Sequence, residues 1–182
     1  ASDDGASAKT NGKGAASIAF ERELSLEDVE YQYPTAKAPI LRGVSFKLEK
    51  GESIGLVGSS GAGKTTLVDV IIGLLAPTKG HLACDGVRLE GETLIAWQRS
   101  IGYVPQTVYL CDDSVLRNVA FGVEDAAIDR GRVERALEAA QLTALVESLP
   151  EGLDTFVGER GVRISGGQRQ RIGIARALYL DP

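Results

Sequence analysis

Methionine is absent from the 182 residues, His81 is the only histidine, and the cysteines number two, Cys84 and Cys111. One histidine excludes any mechanism that needs a His dyad or a His-rich metal site. The cysteines are far apart, with no spacing that points to metal or redox chemistry, and read as buried reduced thiols of a cytosolic domain. Long apolar runs are also lacking. The longest, Leu67 to Pro77, is interrupted by Asp69 and Gly73 and falls far short of the roughly 20 residues that cross a bilayer. There is no excess of basic charge: Lys and Arg number 20 against 25 Asp and Glu, a net charge of −5. Such a chain has no broad positive field to hold DNA or RNA, so nucleic acid is excluded as a partner. A sequence without Met that starts at Ala1 reads as a piece of something longer.

What is present suffices for one domain with a real core and room for a small second lobe, since 43% of the residues are apolar. Ala1 to Ser17 are too poor in apolar groups to offset the entropy of ordering, so 1–20 is read as a flexible linker or tail. From Leu24 the pattern has period two: Leu24, Leu26, then Val29, Tyr31 and Tyr33. After a loop from Pro34 to Pro39 it resumes at Val44, Phe46 and Leu48. These are two antiparallel strands with one buried face. Ser53 to Val57 is a short apolar run between turn signals and reads as a strand buried on both faces.

Leu67, Val70, Ile71 and Leu74 fall at helical spacing, which predicts an amphipathic helix from Gly63 to Leu75. His81 to Cys84 and Ser100 to Val104 read as further strands, with Asp85-Gly86 as a turn. Beyond Gln106 the chain becomes helical. Ser114 caps a helix running to Phe121, and Asp129 caps another with Val133, Ala136, Leu137 and Ala140 on one face; a third begins at Thr143 and stops at Pro150. The resulting division is a mixed α/β core with an antiparallel β subdomain at 21–106, an α-helical subdomain at 107–164, and a helix returning to the core at 165–182.

Gly58-Ser59-Ser60-Gly61-Ala62-Gly63-Lys64-Thr65 fits G-x-x-x-x-G-K-[ST] and stands between a predicted strand and a predicted helix. Glycines at 58, 61 and 63 let successive N–H groups point inward, forming an anion nest at a positive helix end. Lys64 can neutralise β- and γ-phosphate oxygens, and the Thr65 hydroxyl can coordinate Mg²⁺. A P-loop alone does not name a function, since kinases, GTPases, helicases and transporters share it.

A second glycine-rich motif, Arg163-Ile164-Ser165-Gly166-Gly167-Gln168, precedes a helical pattern with Ile172, Ala175 and Leu178 on one side. Ser165 stands at the N-cap, and a hydroxyl beside the free N–H groups of two glycines makes another anion site. Glycines at the first two helical positions cost roughly 1 kcal/mol each relative to Ala, which invites a functional reason.

With these motifs in this order, the chain from Leu24 to Pro182 resembles the ATP-binding domain of exporter-type ABC transporters. The family signature is usually L-S-G-G-Q, and this chain departs only by Ile164 for Leu. The resemblance implies a P-loop NTPase core of RecA-like α/β fold, with ATP and Mg²⁺ as cofactors. It implies a nucleotide site made of Tyr33, Gly58, Ser59, Ser60, Gly61, Ala62, Gly63, Lys64, Thr65, Thr66, Gln106, Ser165, Gly166, Gly167 and Gln168. In this family Tyr33 would stack on adenine, a core tyrosine being the alternative. Gln106 would reach Mg²⁺ and the attacking water, sharing the metal with Thr65. Lys64, Gln106 and Ser165 would serve the chemistry. Leu149 to Gly161 resembles the segment that exporters place before the signature, and with Thr107 to Arg117 it would touch the membrane domains.

The resemblance further implies a head-to-tail pair of ATPase domains in which one P-loop is capped by the other's signature. Transmembrane domains on the same polypeptide upstream would hold the pair at the cytoplasmic face of a membrane, the inner membrane in a bacterium. The segments Thr65 to Leu75 and Asp112 to Ser114 look more like exporters that flip lipid-linked saccharides than drug exporters. A soluble ABC ATPase of DNA repair or translation is the alternative, against which the acidic balance and the exporter-like segment argue. In the family a strand ending in Asp-Glu follows the position of Pro182, so this chain is expected to bind ATP without hydrolysing it. Its C-terminal part of the core would be missing, with the Ser53 to Val57 strand left uncovered.

Overall fold

The structure, a computed structural model, describes residues 18–158 and 162–182. The expected linker before residue 18, and the stretch 159–161 of the expected membrane-facing segment, lie outside the described residues. The chain divides into two compact units, one ending at Ser100 and one starting at Ile101.

In the first unit a four-stranded antiparallel sheet has the order β2-β1-β3-β4, from β1 (Glu23–Tyr31), β2 (Leu41–Glu49), β3 (Lys79–Cys84) and β4 (Val87–Arg88). Leu24 pairs with Leu48 on one side and Cys84 on the other, and Leu26 with Phe46 and Leu82. The apolar spacing of β1 jumps by three between Leu26 and Val29, and the register shifts there. Asp28 takes the extra position with φ 48° and donates its N–H to Ser45 Oγ. This bulge keeps Leu24, Leu26, Val29 and Tyr31 all buried. Opposite it, Gly80 lies so close to the Glu27 and Asp28 carbonyls that no side chain fits.

Helix α1 (Lys64–Ile71) stops short of the expected Leu75. Gly73 takes the left-handed conformation just beyond its end, as helix-ending glycines do. The second helix, α2 (Gly91–Arg99), supplies partners for the freed carbonyls: Trp97 Nε1 donates to Ile71 O at 2.8 Å and Gln98 Nε2 to Gly73 O at 2.7 Å. The expectations from sequence contain no helix here. The start of α2 is closed by Thr93, whose hydroxyl accepts the Glu90 N–H at 3.0 Å and donates to the Arg88 and Glu90 carbonyls.

Two expected strands are corrected. Ser53 to Val57 and Ser100 to Val104 have no strand structure. Val57 is 97% exposed, with Ile54 and Leu56 also exposed. A strand exists only through its neighbours, and no strand among the described residues pairs with either segment.

In the second unit, α6 (Gly166–Tyr179) packs against α3 (Val115–Val119) and α4 (Arg130–Ala139), with α5 (Thr143–Ser148) beside α4. The core gathers Val133, Ala136, Leu137, Leu142, Val157, Ile172 and Ala175. Burying each of the larger side chains contributes about 1.5–3 kcal/mol. Tyr179, not the expected Leu178, completes the buried side of α6; Leu178 is exposed. Tyr179 stands four residues after Ala175, and its hydroxyl accepts the Asp129 N–H at the start of α4. The helix capped by Ser114 ends at Val119 and not at Phe121. A two-residue ladder, β5 (Asp113–Ser114) with β6 (Phe156–Val157), joins the segment before α3 to the one before the signature. No described helix is long and apolar enough to cross a membrane.

Candidate functional site

The start of α1 lacks the side-chain cap that closes the starts of α3, α4 and α6. Ser114 Oγ accepts the Arg117 N–H at α3, Asp129 accepts the Arg132 N–H at α4, and Ser165 Oγ accepts the Gln168 N–H at α6. At α1 the N-cap is Gly63, with φ 87°, no side-chain cap and no acidic residue in the first turn. The N–H groups of Lys64, Thr65 and Thr66 have no partner one turn back within the helix, and the positive end of the helix dipole is left for an external anion. Gly61, φ 78°, and Gly63 give the loop a course that side-chain-bearing residues avoid, and a Cβ on Gly63 would crowd Leu41 and Ile40. Ala62 N–H donates to Ser59 O at 3.2 Å, closing the loop on itself.

The Lys64 ammonium donates to Gly58 O and Ser59 O, each at 2.8 Å, so the loop is strapped across its mouth by its own lysine. Thr65 is exposed at the next position and Thr66 is buried. Tyr33 follows β1, with its hydroxyl 3.1 Å from Thr66 Oγ1 and its ring edge-to-face with Tyr31 at 5.0 Å. The first unit thus gathers Tyr33, the 58–65 loop and Thr66. The donor set fits a nucleotide triphosphate: an aromatic ring, a nest of N–H groups, one cation, and a free hydroxyl of the kind that Mg²⁺ accepts.

The second unit holds Gln106 and the Ser165–Gln168 motif. Gln106 is exposed in an irregular segment. At α6, Ser165 N–H donates to Gln168 Oε1 at 2.9 Å while Ser165 Oγ accepts the Gln168 N–H at 3.3 Å, a reciprocal capping box. The box occupies the Gln168 carbonyl oxygen and leaves the Ser165 O–H proton free to donate. Gly166 and Gly167 are exposed, with open space where a Cβ would stand. Ile164 is buried and anchors the motif to the core.

Asp85 does more than make the turn that the sequence predicts. It takes φ 50° and accepts the N–H groups of Glu21, Arg22 and Glu23 at 2.6, 2.8 and 2.7 Å, pinning the entry to β1 against the end of β3. The Asp85-Gly86 pair was the available signal, because a turn Asp commonly bonds backbone N–H groups. Beside it the fully buried Cys84 thiol is raised to about 11 by desolvation and by the Asp85 charge.

The family model described as ABC transporter matches residues 41–182. An ATP-dependent lipid A-core flippase of Cupriavidus metallidurans is 46% identical over 160 residues, 87% of this chain and 27% of the relative. One of Chromobacterium violaceum is 43% identical over 176 residues, 97% of this chain and 28% of the relative. Heavy metal tolerance factor 1 of Caenorhabditis elegans is 37% identical over 87% of this chain and 20% of its own length. A solved bacterial Atm1-family ABC exporter with ATP bound superposes with a TM-score of 0.81 at 32% identity, over 96% of this chain and 30% of that one. The chain thus spans about a quarter of the length of these flippase relatives. Nothing in these likenesses supports the alternative of a DNA-repair or translation ATPase. A P-loop with an uncapped helix start, a capped Ser-Gly-Gly-Gln helix and the family match together place the chain in the ABC transporter family, as a nucleotide-binding ATPase domain.

Proposed function

We propose that the chain is the ATP-binding domain of an exporter that moves a lipid-linked saccharide across a membrane at the expense of ATP. The observation that carries the reading is the uncapped, left-handed entry to α1 with Lys64 at its first position. The substrate class is supported by the flippase relatives, which are 43% and 46% identical to this chain.

Tyr33 offers its ring to the adenine, and the N–H groups from Gly61 to Thr65 hold the phosphates. Lys64 leaves the Gly58 and Ser59 carbonyls for the β- and γ-phosphate oxygens, exchanging two neutral acceptors for a charged one. Thr65 would hold Mg²⁺, with Gln106 as the residue that the family resemblance assigns to the same ion, and the metal would supply positive charge against the phosphate oxygens. Ser165 donates its free O–H, and Gly166 and Gly167 their N–H groups, to the γ-phosphate held by a second ATPase domain packed head to tail. Gln168 holds that arrangement in place through the capping box. Transmembrane domains upstream on the same polypeptide keep the pair at the cytoplasmic face of the membrane, the inner one in a bacterium. They take up the motion through 107–117 and 149–161.

The test is ATP-driven flipping of a fluorescent lipid A by the full-length protein in vesicles, read by accessibility to an added quencher. Flipping that requires Mg-ATP and is lost in Lys64→Ala is expected. Flipping that is equal without ATP, or unchanged by Lys64→Ala, contradicts the reading.

A further inference from the structure

Arg176 stands on α6 about 16 Å of helical rise beyond Ser165, at 1.5 Å per residue. Its Nε donates to Asn118 O at 2.9 Å and its Nη2 to Tyr109 O at 3.1 Å, with Asn118 Oδ1 at 3.4 Å. The guanidinium lies 4.8 Å from the centroid of the Phe121 ring. Asn118 is fully buried. Its Oδ1 accepts the Cys111 N–H, and its Nδ2 reaches the carbonyls of Cys111, Asp113 and Ser114 at 3.0, 3.3 and 3.0 Å. One side-chain pair therefore binds the backbone of Tyr109, Cys111, Asp113, Ser114 and Asn118 to α6.

The same side of α6 is shaped for that segment three residues earlier. A Cβ on Gly173 would stand 2.5 Å from Val108 Cγ2, so only glycine lets Val108 seat there. The far side of the segment is closed as tightly. Gly158, φ 110°, lies against Cys111 O and Asp112, and Val115 N–H donates to Thr155 O. Through β5 and β6, whatever moves 109–114 also moves 155–158.

We infer that Arg176, acting through Asn118, is the positioning residue that makes the 109–119 segment and its β6 partner follow the signature helix. The inference rests on the proposed function, in which the start of α6 meets nucleotide and these two segments meet the membrane domains. A packed helix moves as a unit, and a fork of three hydrogen bonds with a stacked ring transmits that motion where a single contact would slip. Lysine at 176 keeps the charge but loses the fork.

The experiment is hydrogen exchange on the full-length transporter, parent against Arg176→Lys and Arg176→Ala, with and without Mg-ATP. Without nucleotide, Arg176→Ala is expected to speed exchange at 109–119 about tenfold while 130–148 stays within twofold, with Arg176→Lys intermediate. With Mg-ATP, the parent is expected to respond at both 165–170 and 109–119. Arg176→Lys then keeps the first response and the KM for ATP, and loses the second. Unchanged exchange at 109–119 in both variants overturns the inference, as does a Lys variant that loses both responses together or keeps both. A parent that shows no response at 165–170 counts against the proposed function, and the nucleotide-free comparison then decides the positioning role alone.

Discussion

The Tyr33 hydroxyl lies 3.1 Å from Thr66 Oγ1, which ties the aromatic residue after β1 to the first turn of the P-loop helix. The contact fixes where the ring stands and separates two roles for it. Tyr33→Phe removes the hydroxyl, whose partner is Thr66, and keeps the ring; nucleotide affinity is expected to stay within about threefold, because the face that stacks is unchanged. Tyr33→Ala is expected to weaken ATP by about tenfold or more, the scale of one lost base–aromatic stack at about 1–3 kcal/mol. Titration with a fluorescent ATP analogue checks both. Equal losses in the two variants would show that the ring does not stack on the base.

Ser165 and its glycines are expected to move stability and ligand response in different directions. Ser165→Ala removes the cap of α6 and should cost about 1 kcal/mol in urea unfolding. Gly166→Ala and Gly167→Ala meet open space, so each should stabilise the chain, by up to about 1 kcal/mol, while weakening Mg-ATP-dependent pairing of two domains. Glycine variants that are both destabilised and normal in pairing would make these positions purely structural.

Partial desolvation pushes the Asp85 carboxyl up, but the three N–H donors from Glu21, Arg22 and Glu23 outweigh it and, with the Arg22 charge, hold it below its ordinary value. A carboxyl depressed in the folded state contributes stability that is complete above its unfolded value of about 3.9 and is lost as pH falls through the folded value. Asp85→Asn is therefore expected to lower the melting temperature at pH 7 and to narrow its gap to the parent below about pH 4. Because the group is only partly buried and solvent screens its charge, the loss at pH 7 should be about 1 kcal/mol. Parallel melting curves for the two proteins from pH 7 to pH 3 would remove the carboxylate from this role.

What the sequence makes legible here is whatever is decided within a few residues. Gly61, Gly63 and Lys64 write the loop, Asp129 writes the start of α4, and Val133, Ala136, Leu137 and Ala140 write its buried side. The run from Ser53 to Val57 misleads because a strand needs partners that no local pattern supplies. Helix α2 is hidden because its N-cap is Glu90, a residue that does not signal a helix start, and the capping hydroxyl comes from Thr93 three residues on. Asn118 and Arg176 are invisible for a related reason. Their partners are backbone carbonyls brought near by the fold, and carbonyls carry no sequence signal.

The central claim is that the loop closed across its mouth by Lys64 is a site for a nucleotide triphosphate. Titration calorimetry of the chain with Mg-ATP, parent against Lys64→Ala, tests it most directly. Lysine 64 is the only side-chain cation in the loop, and without it the phosphates meet N–H dipoles alone. The account predicts measurable binding to the parent and none to Lys64→Ala, with the two folded alike by circular dichroism. Equal affinity of the two proteins for Mg-ATP would contradict it.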